Sequence, residues 1–171
     1  RAPWRLAAGV PHVRGRAGRI EPRCAGRVGA PLARGVAQML QRGLNCPLTS
    51  SAGRWFDAAA GVLCLSLRQS REAEAAIALE RAASAWLAAG GRVDAEAPTL
   101  DLLPLLGTLL DESDPGRGAA RFHLALGRGL VAALVDAARV RNPMRAGDAA
   151  GTGRAGGADG GVRAVLAGGC F

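Results

Sequence analysis

The residues best placed to do chemistry lie where a turn-forming stretch runs into an amphipathic helix, within residues 43–63. Ser51 belongs to a run of hydroxyl residues that favour a helix start. Gly53 lets a ligand approach the backbone because it lacks a β-carbon. Asp57 follows Gly53 by one turn, so a carboxylate there can accept hydrogen bonds from vicinal sugar hydroxyls near a helix N-terminus. The spacing is typical of a nucleotide-facing helix start, and also of an ordinary cap followed by an exposed helical Asp.

A glycine pair near the end of the sequence offers a second candidate. Gly168 and Gly169 follow residues 162–167, which are apolar except for Arg163 and predict a buried strand. Backbone N–H groups in a tight loop of this kind can point at phosphate oxygens. The same two glycines could also form a plain turn that ends the strand.

The other carboxylates, thiols and imidazoles form no recognisable catalytic or metal-binding set. Glu72 and Glu74 are two residues apart, so on a helix they do not face each other. No two of the four cysteines have C-x-x-C spacing, and we expect Cys46 to be a small buried thiol. His123 lies beside Phe122 on a predicted helix, where a hydrogen-bonded packing histidine is expected. We assign no catalytic residue and no metal ligand.

The composition argues against two broad classes of function. All 22 basic residues are Arg and the formal net charge is +8, but the arginines are scattered and few aromatic residues lie between them. We therefore expect no nucleic-acid binding. There is no run of about 18 apolar residues, which a membrane span needs, and the N-terminus is a poor signal peptide. We expect a cytoplasmic protein that spans no membrane.

Apolar residues at helical spacing predict five helices, most of them bounded by Pro or Gly. They are expected over residues 32–42, about 51–65, about 72–89, the part of 100–112 after Pro104, and 116–140.

The remaining segments are predicted to connect these helices. A short helix over residues 4–9 is expected to stop before Pro11, and the Gly-, Arg- and Pro-rich residues 11–30 are predicted to be a surface connection. Residues 142–161 are predicted to be a mobile Gly/Ala-rich linker ahead of the strand.

Several blocks of this sequence resemble one protein family. Residues 43–63 contain Cys-Pro-Leu-Thr-Ser-Ser-Ala-Gly-Arg-Trp-Phe-Asp-Ala and resemble the CPLTSSAGRLFDA segment of the hydrogenase-maturation carbamoyltransferases, the HypF family. Four further blocks, similar to the family's EPWRMA, EGQAAMALE, RFH and VLSGGCFQN, occur in the family's order at residues 3–7, 72–80, 121–123 and 165–171.

The resemblance implies an α/β fold, the two-lobed actin-like ATPase (ribonuclease-H-like) architecture. Residues 1–171 would be part of its carbamoyltransferase domain, with a helical part over 1–140, the linker 142–161, and a strand and Gly-Gly loop over 162–171. We expect the chain to be a piece of a longer protein. The family's acylphosphatase-like, zinc-finger and carbamoyl-adenylate-forming modules would then lie elsewhere.

The resemblance also implies a reaction. Carbamoyl phosphate and ATP give a carbamoyl-adenylate, and this domain passes the carbamoyl group to the C-terminal Cys thiol of a HypE-type partner maturation protein. That group later becomes the cyanide ligand of a nickel–iron hydrogenase. A divalent metal, zinc or iron, would take part in the full-length protein with ligands outside this chain.

The family match suggests roles for individual residues. Gly53 would pack near the nucleotide and Asp57 would bind the ribose hydroxyls. Ser51, Gly168 and Gly169 would complete the nucleotide pocket. Glu72 would help to position the substrate, although this sequence has Arg-Glu-Ala-Glu where the family tends to have Tyr-Glu-Gly-Gln.

Two alternatives remain open from the sequence. One is a related enzyme that transfers a threonylcarbamoyl group to tRNA, although the Cys-Pro-Leu-Thr-Ser-Ser sequence favours the HypF family. The other is an inactive fragment that serves only as a packing or binding module. The isolated chain is expected to be inactive in either case.

Overall fold

The computed structural model describes residues 2–49, 51–94 and 97–141, and within these ranges all regular structure is helical. A short 3₁₀ helix, Ala17–Arg19, precedes α2. The seven α-helices are α1 (Pro3–Val13), α2 (Ile20–Val28), α3 (Ala30–Gln41), α4 (Ala52–Val62), α5 (Glu74–Ala88), α6 (Leu103–Leu109) and α7 (Pro115–Arg141).

Helix α4 lies at the centre of the fold. It packs against α1 on one side and α5 on the other, and it also touches α6 and α7. The main core is formed by apolar side chains from these helices, among them Val62, Leu79, Leu106, Leu109 and Phe122. A smaller cluster of Trp4, Ala8, Ile20 and Val36 attaches α2 and α3 to α1. The carboxyl half of α4 is therefore buried, whereas its first turn lies nearer the surface.

The prediction that residues 11–30 are a surface connection is wrong. Helix α1 continues through Pro11 to Val13, and α2 occupies much of the segment. Ile20 is fully buried in the smaller cluster, so burial outweighs the weak helix propensity of the Gly and Pro residues around it. Pro22 is tolerated because it lies in the first turn of α2, where backbone N–H groups have no partner within the helix.

The five helices predicted from periodicity are confirmed, with ends shifted by a few residues. Helix α5 begins at Glu74 rather than Glu72 because Ala73 has a left-handed backbone with φ +59°. The linker predicted at 142–161 and the strand at 162–167 lie outside the described residues.

Helix α7 changes character along its length. Its first half packs against α5 and buries Phe122, whereas Val131, Val135 and Val140 of its second half are exposed. By length and composition alone it could cross a membrane, a test that core helices of soluble proteins also pass. It is the one helix of that kind among the residues that the structure describes.

A buried carboxylate joins the segment after α6 to α7. The Glu112 side chain is only 3% exposed and forms a 2.7 Å ion pair with Arg117. Arg121 lies 3.8 Å away, and the Asp114 N–H donates to Glu112 Oε1 at 3.0 Å. The hydrogen bonds from Arg117 lower the pKa of Glu112 below its ordinary value of 4.5.

We predict that Glu112→Gln lowers the melting temperature, and that the loss depends on pH. Charged hydrogen bonds contribute about 1.5–3 kcal/mol each, so a drop of several degrees is expected at pH 7. Because the folded-state pKa is lowered, the stabilisation is complete above the unfolded-state pKa and is lost as pH falls through the folded-state value. Melting curves from pH 7 to pH 3 should show the gap closing below about pH 4.5. Glu80→Gln, at an exposed position on α5, is the control, and a gap that stays constant with pH would contradict the prediction.

Candidate functional site

The candidate site is built on the first two turns of α4. Ser51 occupies the N-cap position with an extended backbone, but its side chain makes no capping hydrogen bond. Its N–H instead donates to Thr49 Oγ1 at 3.2 Å. Gly53 lies in the first turn and Asp57 follows it by one turn on the same helix. The structure thus brings Ser51, Gly53 and Asp57 to one end of α4, as their spacing predicts.

The Asp57 carboxylate is buried, and each of its two oxygens has a partner. The alternative of an exposed helical Asp is therefore wrong. The Arg54 guanidinium lies 2.9 Å from one carboxylate oxygen, Oδ2. The amide of Gln69 donates to the other oxygen, Oδ1. Each oxygen of a carboxylate has two lone pairs, so a second hydrogen bond can still be accepted at either one. The arrangement fixes the direction of the carboxylate.

Gln69 connects this carboxylate to the segment between α4 and α5. It is itself buried, and the same segment is held to α1 by a 3.4 Å hydrogen bond from the Trp4 N–H to the Leu67 carbonyl. Sequence reasoning missed both partners of Asp57. Arg54 could have been found, because it lies three residues before Asp57 on the same helix face. Gln69 could not have been found in this way. It lies 12 residues after Asp57 and meets it only because the chain turns back after α4.

Glu72 occupies a different place. It is exposed in the turn before α5 and lines an open cleft with Arg71 and Arg81. Its neighbour Glu74 accepts hydrogen bonds from the N–H groups of Ser70 at 2.8 Å and Arg71 at 3.2 Å. These backbone hydrogen bonds, that of Ser70 first, lower the pKa of Glu74. Glu74 therefore shapes the turn, and Glu72 is left pointing to the cleft, whose lining does not include Asp57.

The predictions for the glycine pair, the histidine and the cysteine have three different outcomes. Gly168 and Gly169 lie outside the described residues, so their convergence with Asp57 stays a prediction. His123 is confirmed as a packing residue, because its Nδ1 is 2.8 Å from the Ala119 carbonyl and its ring meets Phe56 edge-on. Cys46, expected to be buried, is exposed because it lies in the exposed turn that follows α3.

The described residues offer no evident metal site. No group of three or more His, Cys, Asp or Glu side chains comes together within residues 2–49, 51–94 and 97–141. The buried acidic groups are instead bonded to arginines, as at Asp57 and Glu112.

Residues 1–151 match one protein family, described as "Carbamoyltransferase, Kae1-like Domain, second subdomain". The described helices make up most of that matched range, so this subdomain is mostly helical. No solved structure matches the chain.

Three curated relatives carry carbamoyltransferase names. A "Carbamoyltransferase HypF homolog" of Cupriavidus necator is 49% identical over 152 residues, covering 81% of this chain and 39% of the relative. "Carbamoyltransferase HypF2" of the same bacterium is 40% identical over 157 residues, covering 74% and 19%. "Carbamoyltransferase HypF" of Rhodobacter capsulatus is 34% identical over 139 residues, covering 78% and 16%.

This chain therefore spans between about a sixth and two fifths of the length of these relatives. The family match covers most of it and includes the signature segment around Asp57. The chain belongs to the HypF carbamoyltransferase family.

Proposed function

We propose that the protein transfers a carbamoyl group from carbamoyl-adenylate to the C-terminal Cys thiol of a HypE-type maturation protein. The product would supply the cyanide ligand of a nickel–iron hydrogenase. Carbamoyl phosphate and ATP are the substrates of the full-length protein in this proposal, and the reaction takes place in the cytoplasm without nucleic acid or membrane. The observation that supports it best is the buried, oriented carboxylate of Asp57 inside the family's signature segment.

In this proposal Asp57 binds the ribose of the adenylate. Its unused lone pairs accept hydrogen bonds from the two vicinal hydroxyls, while Gln69 keeps the carboxylate in place. Arg54 pairs with Oδ2 of the same carboxylate and contributes to the stability of the fold around it. Gly53 and the exposed Ser51 border the ligand.

Gly168 and Gly169 would contact the phosphate of the adenylate. Glu72, at the edge of its own cleft, would orient the substrate. These three roles rest on the family resemblance, within a two-lobed actin-like domain of which this chain forms part.

The proposed chemical step is an acyl-type transfer. The thiolate sulfur of the partner's C-terminal Cys attacks the carbamoyl carbon, a carbon–sulfur bond forms, and the bond from that carbon to the phosphate oxygen breaks. AMP leaves with the electron pair, and the proton of the thiol is released before the attack. A divalent metal, zinc or iron, would polarise the mixed anhydride when bound. On the family resemblance, its ligands are assigned to parts of the full-length protein outside this chain.

We predict that the full-length protein carbamoylates a peptide that ends in Cys when carbamoyl phosphate and ATP are supplied. A peptide that ends in Ser should remain unmodified, because its hydroxyl is a much weaker nucleophile than a thiolate. The 171-residue chain alone should give no product, since the adenylate-forming module is not part of it. Mass spectrometry of the peptides measures the outcome.

Two results would contradict this proposal. Transfer of a threonylcarbamoyl group to tRNA, detected by nucleoside analysis, would favour the related tRNA-modifying class. Absence of any adduct with the full-length protein, despite ATP consumption, would favour an inactive packing or binding module.

A further inference from the structure

Four arginines form a stripe along the 3₁₀ helix and α2, a segment to which the proposed function gives no role. They are Arg16, Arg19, Arg23 and Arg27. Arg19, Arg23 and Arg27 are four residues apart, which places them along one face of α2, and Arg16 lies just before the 3₁₀ helix. Three of the four are exposed and Arg23 is half-buried. Arg14 lies beside the stripe, over Gly107 of α6.

This arginine stripe has too few counterions. Asp111 is the one acidic partner it has among the described residues, at 3.0 Å from Arg19 and 3.5 Å from Arg16. Arg23 donates to the Val62 carbonyl at 3.1 Å instead of to a carboxylate. Arg27 forms no ion pair with any residue that the structure describes.

The neighbouring elements do not correct the imbalance. Glu21, the acidic residue of α2, is directed to α3, where it lies 3.7 Å from Arg34. Burial together with the charges of Arg27 and Arg19 lowers the pKa of Arg23, so the arginines are close enough to repel one another. An added anion would relieve this repulsion.

A small apolar cavity of about 20 Å³ lies beneath the stripe, with Arg23 and Arg27 at its rim and Pro11, Cys24 and Val28 in its lining. It has room for about one water molecule, so it adds nothing to the exposed surface. A ligand on that surface would meet a row of cations, which is the pattern complementary to a row of carboxylates on an acidic helix.

We propose that the arginine stripe is a docking surface for an acidic helix of a protein partner. Carboxylates four residues apart on a helix recur about every 6 Å, the same repeat that Arg19, Arg23 and Arg27 have on α2. A nucleic acid fits less well, because the stripe has no exposed aromatic residue and the nearby Trp4 is buried. This proposal does not depend on the carbamoyl transfer.

The test is binding of a fluorescein-labelled helical peptide of about 20 residues with Glu at every fourth position. We expect the 171-residue chain to bind it at low salt and to lose affinity as salt rises. A matched peptide with Gln in place of Glu should bind at least tenfold more weakly. Fluorescence anisotropy measures both.

Arg27→Glu is the decisive variant because Arg27 has no ion pair to lose in the described structure. It should raise the dissociation constant at least tenfold with an unchanged melting temperature. Arg128→Glu, at an exposed site on α7, should leave the dissociation constant within about twofold. Equal affinity of Arg27→Glu and the unaltered chain would overturn the proposal. Tighter, Arg27-dependent binding of a single-stranded RNA or of anionic vesicles would also overturn the assignment to a protein.

Discussion

Replacing Gly61 with valine is expected to lower the melting temperature by roughly 6–12 °C, the equivalent of about 3 kcal/mol. A β-carbon at Gly61 would lie 2.7 Å from the Pro3 carbonyl oxygen and 2.9 Å from the Ala7 β-carbon. The first of these is backbone, so no rotation of a side chain relieves the contact. Helix α1 would have to move away from α4, which opens one of the two most extensive helix contacts in the fold.

Gly9→Val is the matched control. Gly9 lies on α1, and a β-carbon there would meet nothing within 4 Å. Valine has a slightly higher helix propensity than glycine, so the melting temperature should be unchanged or rise slightly. Thermal melts by circular dichroism compare the two variants. If both lowered the melting temperature equally, the loss at Gly61 would be a general effect of valine in a helix rather than a result of the α1–α4 contact.

The helices were predictable from the sequence to the extent that their apolar residues repeat. Helix α4 is such a case, because capping hydroxyls, a glycine and a periodic apolar run all indicate the same start. Helix α2 was missed because its sequence is rich in Arg and Gly and buries little more than Ile20. Its fold is determined by contacts with Trp4 and Val36, which are distant in sequence.

Periodicity predicted the helix α7 but not how far along it the core extends. Phe122 is fully buried, whereas Leu134, further along the same helix, is 38% exposed. Periodicity identifies an apolar face without stating where its packing partner ends. Helix α5 covers only the first part of α7, so the apolar residues of α7 continue past the core.

The candidate site was predictable in its residues but not in its geometry. Sequence spacing placed Gly53 and Asp57 on one face of a helix, and the structure agrees. The burial of Asp57 could not be predicted from the sequence. It depends on the segment after α4, which folds back and places Gln69 against the carboxylate. A buried aspartate with two partners has a structural as well as a binding function, and a mutation must separate the two.

Asp57→Asn is expected to weaken binding of adenine nucleotide to the full-length protein about thirtyfold. Removing the charge costs roughly 2 kcal/mol of charge-assisted hydrogen bonding to the ribose, and 1.4 kcal/mol is about a factor of ten. The melting temperature should also fall by a few degrees, because Arg54 loses its ion-pair partner in a part-buried setting.

Arg54→Gln separates these two effects. It removes the same ion pair, so it should lower the melting temperature by a similar amount. It keeps the Asp57 carboxylate, however, and Gln69 still holds that carboxylate in direction. Nucleotide affinity should therefore change by less than about threefold, since the hydrogen bonds to the ribose remain.

The central measurement is titration calorimetry of AMP with the unaltered protein, Asp57→Asn and Arg54→Gln, each checked for folding by a thermal melt. If Asp57 binds the ribose, the dissociation constant rises about thirtyfold in Asp57→Asn and stays nearly unchanged in Arg54→Gln, with similar losses of melting temperature. Unchanged affinity in Asp57→Asn, with the melting temperature lowered, would contradict ribose binding and leave Asp57 with a structural role alone.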